Sequence, residues 1–173
     1  MVIHSSILLI EDSPGERELF RLALVQTGLD VTLFAEQDSE EAFRFLEEQA
    51  KVQAEVEWKH TGSTRPGALN SSSTLTSTFP PLPCLILLDL HLGGQNGFDF
   101  LKRLRIDARF AAIPVVVFTT SDDTSDLSLA YANGANGYVV KPGTFVELIQ
   151  CTTDICRYWL ERNRVPHMVG TPC

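Results

Sequence analysis

The chain has 173 residues, of which 44% are hydrophobic and 21% charged, and its formal net charge is −8. That length and balance describe one globular domain and exclude a disordered or collagenous chain, and no apolar run approaches the ~20 residues needed to cross a bilayer. The negative charge disfavours nucleic acid and anionic lipid as partners, because their phosphates repel it at long range.

The start of the chain lacks a charged segment followed by an apolar one, so a cytoplasmic location is expected. The four cysteines, Cys84, Cys151, Cys156 and Cys173, have neither CxxC spacing nor the density of a secreted scaffold, and reduced thiols are expected.

Short apolar runs alternate with longer amphipathic ones, the pattern of parallel strands joined by crossover helices. The first strand is expected over residues 6–10. The helix after it starts at Ser13-Pro14-Gly15-Glu16, which reads as a capping box with proline at the first helical position. A second strand over 31–34 precedes a helix whose start is marked by Asp38 and Glu41. Glu47, Lys51, Glu55 and Lys59, at steps of four and of alternating sign, extend that helix past its core contacts.

Residues 59–83 are dominated by Ser, Thr, Pro and Gly and far exceed the ~4–6 residues of a usual connection, so they are expected to form a flexible insertion. Strands follow over 84–88, 114–118 and 137–140. The runs at 6–10, 84–88 and 114–118 are continuously apolar, as in strands covered on both faces, and the last two are expected at the centre of the sheet. Thr144 and Glu147 start a final helix whose buried stripe is Phe145, Leu148, Ile149, Thr152, Ile155, Cys156 and Trp159. One α/β domain over 1–162 is expected, with a C-terminal extension over 163–173 and no room for an output domain.

In an open parallel sheet, ligands bind at the carboxyl ends of the strands. The first strand ends in Glu11 and Asp12, the third in Asp89, the fourth in Thr119-Thr120-Ser121, and the fifth runs into Lys141-Pro142. Three carboxylates gathered in one crevice require raised pKa values or a bound cation. Mg²⁺, which takes oxygen ligands and keeps several waters, suits Asp12 and Asp89 directly and Glu11 through water. Phosphoryl transfer needs a nucleophile and fixed positive charge, and the expected roles are Asp89 as nucleophile forming an acyl phosphate, Lys141 and Mg²⁺ offsetting charge, and the Thr119 hydroxyl donating to a phosphoryl oxygen. Taken singly these residues are ordinary caps, strand formers and surface charges; their joint placement at four strand ends carries the reading.

The runs Leu8-Leu9-Ile10-Glu11-Asp12-Ser13, Leu87-Leu88-Asp89-Leu90-His91 through Gly97, Pro114-Val115-Val116-Val117-Phe118-Thr119-Thr120 and Gly137-Tyr138-Val139-Val140-Lys141-Pro142 resemble the signature of response-regulator receiver domains. The resemblance covers residues 5–162 apart from the insertion. It implies a doubly wound five-stranded parallel sheet of flavodoxin-like receiver fold, strand order 2-1-3-4-5, with helices on both faces. It also implies Mg²⁺ held by Glu11, Asp12, Asp89 and the His91 backbone carbonyl, phosphorylation of Asp89, phosphoryl contacts from Thr119 and Lys141, and Tyr138 as a rotameric switch. A cis peptide bond before Pro142 is implied as well. Three positions depart from the commonest pattern, with His91 where Asn is frequent, Gly93 where Pro is frequent, and Glu11 where Asp is frequent. His91 and Ser121 occupy the two positions that influence attack by water.

Residues 113–121 and the aromatic end Arg157-Tyr158-Trp159-Leu160 are most similar to the single-domain regulators of cyanobacterial and bacterial phytochromes. This implies a phytochrome histidine kinase or phosphatase as partner, a downstream protein or phosphotransfer partner, and no enzymatic activity beyond self-phosphorylation and self-dephosphorylation. A homodimer through the last helix and C-terminal segment is expected, because Tyr158, Trp159, Leu160, Val165, Met168 and Val169 extend apolar character beyond a compact receiver.

Three rival readings fit less well. An aspartate-nucleophile phosphatase of the haloacid-dehalogenase type carries Asp-x-Asp on its first strand, whereas Asp89 lies on the third. A flavodoxin-like flavin module needs a phosphate-binding loop where this chain is acidic. A receiver-like scaffold that is never phosphorylated would not need the full set of site groups.

Overall fold

A computed structural model of the chain describes residues 5–61 and 82–164. Its elements run β1 (Ser5–Ile10), α1 (Pro14–Gln26), β2 (Val31–Glu36), α2 (Ser39–Thr61), β3 (Leu85–Leu88), β4 (His91–Leu92), β5 (Gln95–Asn96), α3 (Gly97–Ile106), β6 (Val115–Thr119), α4 (Thr124–Ala132), β7 (Gly137–Val140) and α5 (Phe145–Cys156), with a π-helical turn over Arg157–Arg162. The main sheet has the order β2-β1-β3-β6-β7, and every pairing in it is parallel. This is the expected 2-1-3-4-5 order once the short β4-β5 hairpin, which the sequence reading did not foresee, is left uncounted.

The continuous apolar runs divide by alternation between two cores. Leu8, Ile10, Ile86, Leu88, Val115 and Val117 face one layer, where Phe43 and Leu46 of α2, Phe100, Leu101 and Leu104 of α3 and Ala130 of α4 cover them. Ile7, Leu9, Leu85, Leu87, Val116 and Phe118 face the other, under Phe20 and Leu24 of α1 and Ile155 and Cys156 of α5. Burial on both faces is what a parallel sheet between helix layers requires.

Arg105, at the end of α3, ties two connections together. Its guanidinium donates to the carbonyls of Gly134, Ala111 and Ile113 and to Asn136 Oδ1, at 2.8–3.0 Å. Asn136 Oδ1 also accepts from the Val115 amide at 2.9 Å. The entries to β6 and β7 are thus pinned to α3, which fixes where their carboxyl ends emerge.

Several expectations need correction. Cys84 is disulfide-bonded rather than reduced, while Cys151 and Cys156 are free thiols; short-range spacing says nothing about a pairing formed by the fold. Phe145 belongs to the first turn of α5 and is 40% exposed rather than part of the buried stripe, which begins at Leu148. The final helix ends at Cys156 and widens into the π-helical turn, and this brings Trp159 and Leu160 back onto the α1/α5 core. Of the apolar extension, Tyr158 stays exposed; Val165, Met168 and Val169 lie outside the described residues. Most of the 59–83 insertion also lies outside them, but α2 runs on to Thr61 and Leu82 is buried, so both edges of that range are structured. Glu47 pairs with Arg109 at 3.5 Å.

Gly97 opens α3 against the backbone of the β3 end. A Cβ there would lie 2.6 Å from the Asp89 carbonyl oxygen and 2.9 Å from Leu90 Cα. Both are backbone atoms that cannot rotate away, so Gly97→Ala is expected to cost about 2 kcal/mol or more, in the range of overpacked sites. Urea unfolding of the two proteins checks this, and an unchanged midpoint would show that the α3 start can retreat from β3.

Candidate functional site

Glu11, Asp89 and Lys141 each emerge one step past a strand end and Thr119 is the last residue of β6, so the sheet's hydrogen bonding still holds their backbones. Ile10 lies opposite Leu88 in the β1-β3 pairing, and the Asp89 amide then donates to the Ile10 carbonyl at 3.0 Å. The Glu11 amide donates to the Glu36 carbonyl at 3.0 Å, and the Lys141 amide to the Thr119 carbonyl at 2.7 Å. The parallel register therefore brings Glu11, Asp89, Thr119 and Lys141 to one edge at nearly one height.

The side chains converge as expected. Glu11, Asp12 and Asp89 each offer a carboxylate oxygen, and these oxygens lie within 4.8 Å of one another. Glu11 and Asp89 are buried and Asp12 is exposed. The Lys141 ammonium reaches Glu11 Oε2 at 2.5 Å and Asp89 Oδ2 at 2.7 Å. The remaining oxygens of the two buried acids accept from backbone, Glu11 Oε1 from the Ser13 amide at 3.0 Å and Asp89 Oδ1 from the His91 amide at 3.2 Å. The buried Thr119 hydroxyl also hydrogen-bonds Asp89.

These contacts divide the two buried acids electrostatically. Burial pushes Glu11 up to about 7, because the hydrogen bond and charge of Lys141 only partly counter its desolvation. Burial acts on Asp89 too, but the Lys141 hydrogen bond and charge, with Thr119 and the His91 amide, outweigh it and hold Asp89 below the usual carboxylate range. Asp89 is thus kept ionised, the form in which a carboxylate is a nucleophile. Lys141 is itself desolvated, yet its hydrogen bonds to the acids raise it and keep it charged.

Hard oxygen donors held this close suit Mg²⁺ or Mn²⁺. Glu11, Asp12 and Asp89 would hold such an ion, and their mutual repulsion is what it would relieve. An open cleft of about 530 Å³ lies on this side, lined by Asp12, His91, Gly93, Asn96, Phe98 and Asp126 among others. Gly93, at φ +54°, sits where a Cβ would be 3.4 Å from Asp12 Oδ2, so the left-handed turn of the β4-β5 hairpin passes close to the acid.

Tyr138 on β7 donates its hydroxyl to the Ser121 carbonyl at 3.0 Å, and the Ser121 hydroxyl donates to Asp126 Oδ2 at 2.6 Å. The expected switch residue and the segment after Thr119 are therefore joined directly. The His91 side chain is exposed. The expected cis bond before Pro142 is absent, because the Lys141-Pro142 bond is trans. Trans is the lower-energy isomer even for X–Pro, and the length of the Lys141 side chain reaches both acids without the cis form.

Two site residues escaped the sequence reading. Arg17 donates Nη1 to the carbonyls of Glu11, at 2.5 Å, and Asp12, at 3.0 Å, and so braces the acidic turn. Glu16 does not close the capping box assigned to it. The Ser13 hydroxyl accepts from the Glu16 amide at 3.3 Å, but the Glu16 carboxylate turns to Lys141, Oε2 at 2.5 Å. A capping box and an acid placed one turn above a strand end share one sequence pattern, so only the position of Lys141 separates them.

Comparison with known proteins agrees with this geometry. The family model described as "Response regulator receiver domain" matches residues 68–153, which include Asp89, Thr119 and Lys141. The response regulator Rcp1 of Synechocystis sp. is 29% identical over 160 residues, 92% of each chain. Its Mn²⁺-bound crystal structure covers 94% of this chain and 99% of that one with a TM-score of 0.68. The phosphorylated cyanobacterial phytochrome response regulator RcpA superposes with a TM-score of 0.71 at 25% identity, covering 95% of this chain and 99% of that one. The probable methanogenesis regulatory protein FilR2 of Methanothrix harundinacea is 44% identical over 85 residues, 49% of this chain and 55% of FilR2. With the sheet order, the acidic cluster and the lysine all in place, the chain belongs to the response-regulator receiver family.

Proposed function

We propose that this receiver accepts a phosphoryl group on Asp89 from a sensor histidine kinase of the phytochrome type and passes the signal on by protein contacts. The observation that carries the reading is the ionised, buried Asp89 held between the Lys141 ammonium and the Thr119 hydroxyl. In the step, an Asp89 carboxylate oxygen attacks phosphorus. The new O–P bond forms as the donor's P–N bond breaks, and the imidazole of the donor leaves with the electron pair and takes up a proton. Lys141 offsets charge on the phosphoryl oxygens and the Thr119 hydroxyl donates to one of them. Glu11, Asp12, Asp89 and the His91 carbonyl would hold Mg²⁺, which when bound would supply further positive charge to the site. No second substrate is turned over, so the chain is a signalling module and not an enzyme in the usual sense. The partner is inferred from similarity to Rcp1 and RcpA, the latter by name a phytochrome response regulator.

A homodimer remains part of this reading, but Trp159 and Leu160 are committed to their own core. Among the described residues of α5 and the turn after it, Phe145, Val146 and Tyr158, 40%, 77% and 54% exposed, are the large apolar groups left for a second copy to cover.

Acetyl phosphate with Mg²⁺ is expected to produce an acid-stable, base-labile phosphoprotein in the wild type and none in Asp89→Asn, read by phosphoprotein electrophoresis. The same band in the variant would place the nucleophile elsewhere.

Lys141 is nearly buried, with 10% of its side chain exposed, so its removal bears on the fold as well as on signalling. Lys141→Ala leaves Glu11 and Asp89 in the interior without their cation, and a loss of about 3 kcal/mol is expected in Mg²⁺-free buffer, partly restored by Mg²⁺. Its affinity for beryllofluoride, a phosphoryl mimic, is expected to fall about tenfold or more. A variant as stable and as responsive as wild type would remove Lys141 from the site.

Tyr158→Arg is expected to sediment as a lighter species than wild type at micromolar concentration. Equal masses would show that this helix end is not the dimer contact.

A further inference from the structure

We infer that Glu16 is a positioning residue that regulates the site: it occupies one N–H of Lys141 and yields it when Asp89 carries a phosphoryl group, so that phosphorylation frees the first turn of α1. The inference rests on Asp89 being the phosphoacceptor.

A lysine ammonium has three N–H donors and no acceptor. All three are engaged here, by Glu11 Oε2, Asp89 Oδ2 and Glu16 Oε2. A phosphoryl oxygen can receive a hydrogen bond from Lys141 only after one carboxylate gives its own up. Phosphorylation also brings new negative charge to an ammonium already shared among acids, and like charges converging on one cation repel.

The three partners differ in what release costs. The side chains of Glu11 and Asp89 are 3% and 7% exposed, and either would lose its hydrogen bond inside the protein. Phosphorylation removes the carboxylate charge of Asp89 but ties its new charge to the same place. Glu16 is 42% exposed, so water can solvate it at once, and a contact to so open a carboxylate is weak. Glu16 is the partner that leaves.

Ser13 Oγ already accepts from the Glu16 amide, and what the capping box lacks is a bond donated by the Ser13 amide to the Glu16 carboxylate, because that amide donates to Glu11 Oε1 instead. Thr144 and Glu147 form the complete version of this box at the start of α5. Closing the box at α1 would take the Ser13 amide from buried Glu11, so the released Glu16 carboxylate goes to water; the first turn of α1 thus has two arrangements, tied to the phosphoryl site or untied, and occupancy at Asp89 biases the choice.

The test compares wild type and Glu16→Gln by titration with beryllofluoride at saturating Mg²⁺, and by titration with Mg²⁺ alone, with melting temperatures recorded for both. Glu16→Gln is expected to bind beryllofluoride about two- to fivefold more tightly, the range an exposed carboxylate contact of this kind is worth, while Mg²⁺ alone binds no more tightly than to wild type. A merely structural role would weaken both ligands together or move the melting temperature without this split. Equal or weaker beryllofluoride binding by Glu16→Gln, or a gain shared by Mg²⁺, overturns the inference. Failure of the wild type itself to bind beryllofluoride or to be phosphorylated on Asp89 would instead overturn the reading on which it rests.

Discussion

The structure turns on one ammonium group. Lys141 draws together Glu11 from β1, Asp89 from β3 and Glu16 from α1, three acids that would otherwise repel one another in a largely dehydrated corner. Everything that delivers those side chains serves that meeting. The parallel register sets Glu11 beside Asp89, the β6-β7 pairing places Lys141 one step past Thr119, and Arg105 pins the approach to both of those strands. The arrangement also explains why two neighbouring acids differ. Asp89 gathers the Thr119 hydroxyl and the His91 amide in addition to the lysine, whereas Glu11 is more strongly governed by its burial.

Much of this was legible in the residues because the chemistry sits at strand ends. A continuously apolar run such as Leu85-Ile86-Leu87-Leu88 announces a strand buried on both faces, and the first polar residue after it is necessarily at the edge. That reasoning located Glu11, Asp12, Asp89, Thr119 and Lys141 without any knowledge of side-chain geometry. What it could not reach depends on distance across the fold. Glu16 reads as a cap until Lys141, 125 residues away, is placed beside it. The bonding of Cys84 has no local signature, and the course of the last helix depends on Trp159 finding the α1/α5 core near Gly137 rather than on its own periodicity. The trans bond before Pro142 belongs to the same group, since a family habit had stood in for a reach that only the assembled site could define.

The second polar network, from Tyr138 through the Ser121 carbonyl and the Ser121 hydroxyl to Asp126, links β7 to the start of α4 beside the site. It ties the segment that follows Thr119 to a half-buried aromatic ring and to a helix whose outward side carries Leu127, Leu129 and Tyr131. A side chain that changes its bonding at Thr119 therefore has a short covalent and hydrogen-bonded route to an apolar surface.

The parallel sheet also gives the molecule two unequal ends. The reacting groups all emerge at the carboxyl edge, while the long connection from α2 enters β3 at the opposite edge, ahead of Cys84 and Leu85. Additions at that far edge change the length of the chain without altering the register that aligns Ile10 with Leu88. The two ends can therefore vary independently, chain length at one and chemistry at the other.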